Sequence, residues 1–260
     1  NSSSVISRPS SVVLPEPEAP TMATLSPAFT DSSTASSILS SPSGPTTDLP
    51  TCLARMTALP SVFIRSLFLF VCLVGAALAR PVLVLGDSLS AAHNMPAEAG
   101  WVALLQDRLR QEMAAAPEVI NASISGETTA GGLSRLPALL ETHRPGVVVI
   151  ALGGNDGLRG LPPAQVRANL ERMIVLSREA GAKVLLLGID IPPNYGSAYR
   201  DRLRAVFDEL AAEHGVPLLP FLLDGVALDP ALMQADGIHP TAEAQPRLLE
   251  NVWPLLRALL

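Results

Sequence analysis

Val82-Leu83-Val84-Leu85-Gly86-Asp87-Ser88-Leu89-Ser90 decides the fold. Four apolar residues in a row suit a strand buried on both faces. Gly-Asp-Ser then reads as the sharp turn that ends it. The same punctuation recurs outward along the chain. An apolar run over 119–124 ends in Ser125-Gly126, and one over 147–152 ends in Gly153-Gly154-Asn155-Asp156. A run over 184–189 ends in Asp190 and two prolines, and a short fifth lies near 216–219. Between the runs, apolar residues recur at helical spacing: Trp101, Leu104, Leu105 and Leu109; Val166, Leu170, Met173 and Ile174; Leu203, Val206, Phe207 and Leu210. Each set predicts a helix with one buried stripe. Residues 241–260 read as a last helix, bent near Pro254. Gly146, Gly181 and Gly215 stand between helix and strand patterns, where helix stop signals belong. This order predicts an α/β fold, a three-layer α/β/α sandwich on a mainly parallel five-stranded sheet with right-handed crossovers. In such sheets ligands bind beyond the carboxyl ends of the strands. The Gly-Asp-Ser, Ser-Gly and Gly-Gly-Asn-Asp segments all fall there.

The 260 residues are not uniform. Segment 1–55 holds 14 Ser, 7 Thr and 8 Pro without apolar periodicity, and is expected to be disordered. Met56 opens a different segment. Arg65 precedes an apolar stretch over 67–78 that ends in Ala77-Leu78-Ala79, the pattern of a cleaved secretory signal peptide over 56–79. The stretch is short for a membrane span, so no stable anchor is expected after cleavage. Met56 is the expected start, with 1–55 lying upstream of it, and the exported domain is expected to cover 80–260, placing it in the periplasm or medium. Both cysteines, Cys52 and Cys72, precede that domain, which excludes a thiol nucleophile, a Cys-ligated metal or a disulfide within it. The small residues that a lipoprotein signal places before its cysteine are missing at Cys72. Net charge is −6, aromatics are 4%, and no Lys/Arg cluster occurs, so nucleic-acid binding is disfavoured.

Ser88 follows the first strand, but Ser90 breaks the Gly-x-Ser-x-Gly elbow of α/β-hydrolases. Alone, Gly-Asp-Ser is an ordinary turn. In Asp236-Gly237-Ile238-His239-Pro240 the Asp and His lie three apart, so one turn lets the carboxylate reach the imidazole. A serine nucleophile needs such a base and such an orienting partner. Pro240 suits the first turn of the following helix. His143 and His214 end helical segments and are expected to meet terminal carbonyls. His93, five residues after Ser88, could line the cleft, but no carboxylate three residues away orients it. Three donors could hold an oxyanion: the backbone N–H groups of Ser88 and Gly126 and the side-chain amide of Asn155. Asp87 and Asp156 are expected to bond backbone N–H groups of their own turns. Scattered histidines and the lack of ligand spacing predict no metal site and no cofactor.

In combination these segments resemble the SGNH (GDSL) hydrolase family across 80–260. NASISGET, ALGGNDGLRG, PPNYG and LLPFLLDGV are most similar to its bacterial periplasmic thioesterase, lysophospholipase and arylesterase branch. The resemblance implies a flavodoxin-like fold, with Ser88 as nucleophile, His239 as base and Asp236 as its partner. It also implies an oxyanion hole of Ser88, Gly126 and Asn155. Acyl-CoA thioesters, lysophospholipids and short aryl esters are the implied substrates. His93-Asn94 departs from the aromatic or Arg expected after the serine. The loops over 157–162 and 191–196 are apolar and rich in Gly and Pro. Leu158, Arg159, Pro193 and Tyr195 are therefore candidate substrate contacts. Two rival readings are a carbohydrate O-deacetylase on the same fold and a binding module without turnover.

Overall fold

The computed structural model describes residues 79–260. Segment 1–55 and the expected signal peptide, apart from its last residue, lie outside them. Five strands form one sheet: β1 (Val82–Gly86), β2 (Val119–Asn121), β3 (Val147–Ala151), β4 (Lys183–Leu187) and β5 (Leu218–Leu219). Their order is β2-β1-β3-β4-β5, and every pair is parallel. Six α-helices connect or follow them: α1 (Trp101–Glu112), α2 (Thr129–His143), α3 (Gly154–Leu158), α4 (Pro163–Glu179), α5 (Ser197–His214) and α6 (Gln245–Arg257).

The period of two along each strand sorts its side chains between two apolar layers. Val82, Val84, Val147, Val149, Leu185 and Leu187 pack with Trp101, Leu105 and Leu109 of α1 and Leu248, Val252 and Leu256 of α6. Leu83, Leu85, Val148, Ile150, Val184 and Leu186 pack with Leu136 of α2, Leu170 and Met173 of α4 and Phe207 of α5. The strands β1 and β3 are wholly buried, whereas the edge strands β2 and β5 are only partly covered and shorter than their apolar runs. An edge strand has one ladder partner, so pairing ends sooner.

Two helix ends differ from the sequence expectation. After α2 the left-handed residue is Arg144 (φ 44°), not Gly146, where an added Cβ would come within 2.9 Å of the Arg80 side chain. Helix α6 runs through Pro254 to Arg257 and starts only after a short 3₁₀ turn at Ala242–Ala244. Among the described residues no helix is long and apolar enough to cross a membrane.

Candidate active site

The Gly86-Asp87-Ser88 turn grows out of β1. A Cβ on Gly86 would meet Ser123 Oγ and Ser90 Oγ at 2.9 Å, so only glycine lets the chain turn this close to its neighbours. Asp87 is buried. Its Oδ1 accepts the Leu89 N–H at 3.0 Å, and its carbonyl accepts the N–H groups of Ser90 and Ala91 at 3.1 and 3.0 Å. This bonding presents Ser88, half-buried, at the end of the sheet.

The histidine comes from a loop that folds back on itself. Met233 and Pro240 form an antiparallel bridge, the Gln234 N–H donates to the His239 carbonyl at 2.7 Å, and the Thr241 N–H donates to Leu232 at 2.8 Å. Pro240 therefore closes this loop rather than opening a helix, contrary to the sequence expectation. Inside the loop, Asp236 Oδ1 accepts the N–H groups of Ile238 and His239 at 2.9 and 3.0 Å. Its Oδ2 accepts His239 Nδ1–H at 2.7 Å, and Ser88 Oγ lies 2.8 Å from His239 Nε2. A carboxylate can only accept, so Nδ1 carries the proton and Nε2 is free to receive the serine hydroxyl's. The bond from the His239 backbone N–H, followed by those from its ring and from Ile238, holds the Asp236 carboxyl well below the usual carboxylate range.

Gly126 lies beyond β2 with φ +80°, and its carbonyl accepts Arg159 Nη2 at 3.0 Å. Asn155 sits in α3, and its Nδ2 donates to Asp87 Oδ2 at 3.3 Å. Asp87 thus joins the Ser88 turn to Asn155. Burial raises its pKa to about 6, against the opposing effect of the Leu89 bond. Among the described residues, the N–H groups of Ser88 and Gly126 have no protein acceptor. Asp156 departs from expectation. Its oxygens leave their own turn and accept the Thr129 N–H at 2.9 Å and the Thr129 hydroxyl at 2.6 Å, tying α3 to α2. Nothing in the local sequence marks that partner, 27 residues away.

Ser88, Asn155 and His239 open on a cavity of about 570 Å³. Its walls are mostly apolar, with Leu89, Ile189, Ile191, Phe221, Leu223, Met233 and Ile238 among them. Of the proposed substrate contacts, Leu158 and Pro193 line it, whereas Arg159 and Tyr195 do not. Arg159 holds the Gly126 carbonyl, and the Tyr195 hydroxyl donates to the Leu158 carbonyl at 2.9 Å. Sequence reading missed the Asp190–Arg200 pair on the cavity wall, where Arg200 Nε and Nη2 donate at 3.1 and 2.7 Å. Ten residues separate the partners, across a loop with no periodic signal.

The remaining histidines take separate places. His93 stacks on His239 with ring centroids 4.2 Å apart. His214 approaches Glu171 at 3.6 Å instead of a terminal carbonyl. Glu171, Glu213 and His214 lie close enough together to share an ion, but the Arg167 guanidinium already pairs with both carboxylates.

The sequence profile of the GDSL-like lipase/acylhydrolase family matches residues 84–246. The chain belongs to that family. It is 56% identical over 190 residues to the "Esterase TesA" of Pseudomonas aeruginosa, covering 73% of this chain and 94% of that protein. It is 48% identical over 180 residues to the "Thioesterase 1/protease 1/lysophospholipase L1" of Escherichia coli, covering 69% of this chain and 85% of that one. Among solved structures, the psychrotrophic esterase EstA from Pseudoalteromonas sp., inhibited by monoethylphosphonate, superposes with a TM-score of 0.66 at 41% identity. That match covers 69% of this chain and 97% of EstA. As a member of this family the chain is a serine ester hydrolase, and its five-stranded parallel sheet is the sheet expected from the sequence.

Proposed function

We propose that Ser88 is the nucleophile of a two-step acyl transfer in which His239 is the base and Asp236 fixes its tautomer. The observation that carries this reading is the unbroken chain Asp236 Oδ2–His239–Ser88 Oγ, at 2.7 and 2.8 Å, with Ser88 and His239 lining the apolar cavity. His239 Nε2 takes the Ser88 proton as Oγ bonds to the acyl carbon, and the carbonyl electrons move onto oxygen. The Ser88 N–H, the Gly126 N–H and the Asn155 amide receive that oxyanion. Its collapse expels the alcohol or thiol, which takes the proton from His239 and leaves an acyl-Ser88. Water, deprotonated by His239, repeats the addition, and Ser88 departs with its proton restored.

The substrates are acyl esters and thioesters with an apolar chain of several carbons, lysophospholipids included. Cavities of roughly 300–1,000 Å³ bury ligands far larger than an acetyl group. Each methylene removed from water contributes about 0.8 kcal/mol. This size argues against the carbohydrate O-deacetylase reading, and the aligned Ser88 and His239 argue against a binding module. Export through segment 56–79 and release without a membrane anchor belong to the same reading, on sequence grounds alone. Hydrolysis of p-nitrophenyl esters from C2 to C16, alongside acyl-CoA, tests the proposal. The expected result is a kcat/KM at least tenfold higher at C8 than at C2, abolished in Ser88→Ala. Preference for acetate would favour the deacetylase, and no turnover would favour the binding module.

A further inference from the structure

His93 touches the proposed base, yet the acyl-transfer steps give it no task. It sits in the chain leaving the nucleophile turn, between Ala92 (φ 55°) and Asn94 (φ 56°). Left-handed backbone is uncommon at residues bearing a Cβ, and a pair of such residues around one side chain marks a constrained position. The constraint turns the His93 ring onto the face of His239, with centroids 4.2 Å apart and planes inclined by 36°. His93 Nδ1 also lies 3.3 Å from Ser125 Oγ, next to Gly126. The backbone is tied as well. Gln234 Nε2 donates to the His93 carbonyl at 3.0 Å and to the Pro240 carbonyl at 2.9 Å, while the Gln234 N–H holds the His239 carbonyl at 2.7 Å. One glutamine therefore fastens the His93 segment to His239 and to Pro240 beside it.

Asp236 holds the His239 ring by one edge, and Ser88 meets the opposite edge. Two edge contacts fix the in-plane direction of an imidazole and leave its tilt about that line unopposed. A ring laid on its face supplies the missing constraint. We infer that His93 is a positioning residue for the base, a braced aromatic wall that keeps His239 Nε2 aligned on Ser88 Oγ. This rests on the reading of His239 as the base. Its chemistry requires an aromatic face at position 93, and the imidazole adds only the bond to Ser125.

The test compares His93→Ala and His93→Phe with wild-type full-length protein in p-nitrophenyl octanoate hydrolysis, with His239→Ala in the same assay. Aromatic pairs of this kind are worth a factor of about two to ten. His93→Ala is expected to lower kcat by about three- to tenfold with KM within twofold, and His93→Phe to recover kcat to within twofold of wild type. An unchanged kcat in His93→Ala would overturn the inference. So would a loss confined to KM, which would make His93 a substrate contact. His93→Phe as impaired as His93→Ala would also overturn it, because the bond to Ser125 and not the ring face would then be at work. His239→Ala reports separately on the base. Activity surviving there refutes the reading of His239, whatever happens at position 93.

Discussion

Two aspartates begin two turns of the site in the same way and end with opposite electrostatics. Asp87, in the Ser88 turn, and Asp236, in the His239 loop, each accept the N–H two residues onward, from Leu89 and Ile238. Asp87 is buried beneath the strand ends, where loss of water outweighs its hydrogen bonds and raises its pKa to about 6. Asp236 is exposed and accepts three hydrogen bonds, so its charged form is favoured and its pKa falls. A shared turn motif therefore does not set a carboxylate's chemistry; depth and the number of donors do. The place of Ser88 is set by the sheet, while the place of His239 is set by one exposed loop and the side chains fastened to it.

That contrast breaks most visibly at Asp236. Asp236→Asn removes the acceptor that fixes the His239 tautomer, and kcat is expected to fall by roughly 10³–10⁴, the scale of losing the correct tautomer in a serine triad. Steady-state rates within tenfold of wild type would make this carboxylate a mere loop cap. Asn155→Ala comes next, with an expected loss of about 10²–10³ in kcat and a smaller change in KM, as for a donor acting mainly in the transition state. A change in KM alone would assign Asn155 to ground-state binding.

The smallest effects separate the two carboxylates by sign. The folded chain keeps the Asp87 proton up to about pH 6, whereas the unfolded chain loses it near the ordinary value of 3.8. The stability that this contributes is complete below about pH 4 and is lost as pH rises through 6. Asp236 has the opposite sign: its contribution is present above the ordinary carboxylate value and is lost as pH falls toward the depressed one. In thermal melts from pH 4 to 8, Asp87→Asn should therefore gain on wild type as pH rises. A difference that stays flat over that range would show that burial of Asp87 costs little. The same substitution weakens the acceptor of the Asn155 amide, so about a tenfold loss of kcat is expected with the gain in stability.

The features legible in the sequence were those written in local pattern. The strands β1, β3 and β4 announce themselves as apolar runs. The spacing of Asp236 and His239 states that carboxylate and imidazole can meet within one turn, and 2.7 Å separates them. The rest depends on partners distant in the chain. The edge positions of β2 and β5 shorten their pairing. Pro240 pairs with Met233 instead of starting a helix, and Asp156 finds Thr129 across two helices. The stacking of His93 on His239 joins residues 146 positions apart, and no spacing rule encodes it. Arg159 and Tyr195 lie in the loops that the sequence points to, but their side chains bond the backbone carbonyls of Gly126 and Leu158 and do not line the cavity.

The central claim is that Ser88, activated by His239, bonds covalently to the acyl group. Inactivation by a fluorophosphonate, followed by intact-mass measurement and peptide mapping, tests it most directly. One adduct per chain is expected, on Ser88, forming in step with the loss of esterase activity and absent from His239→Ala on the same time scale. Complete inactivation with the adduct on another residue, or without any adduct on Ser88, would contradict it.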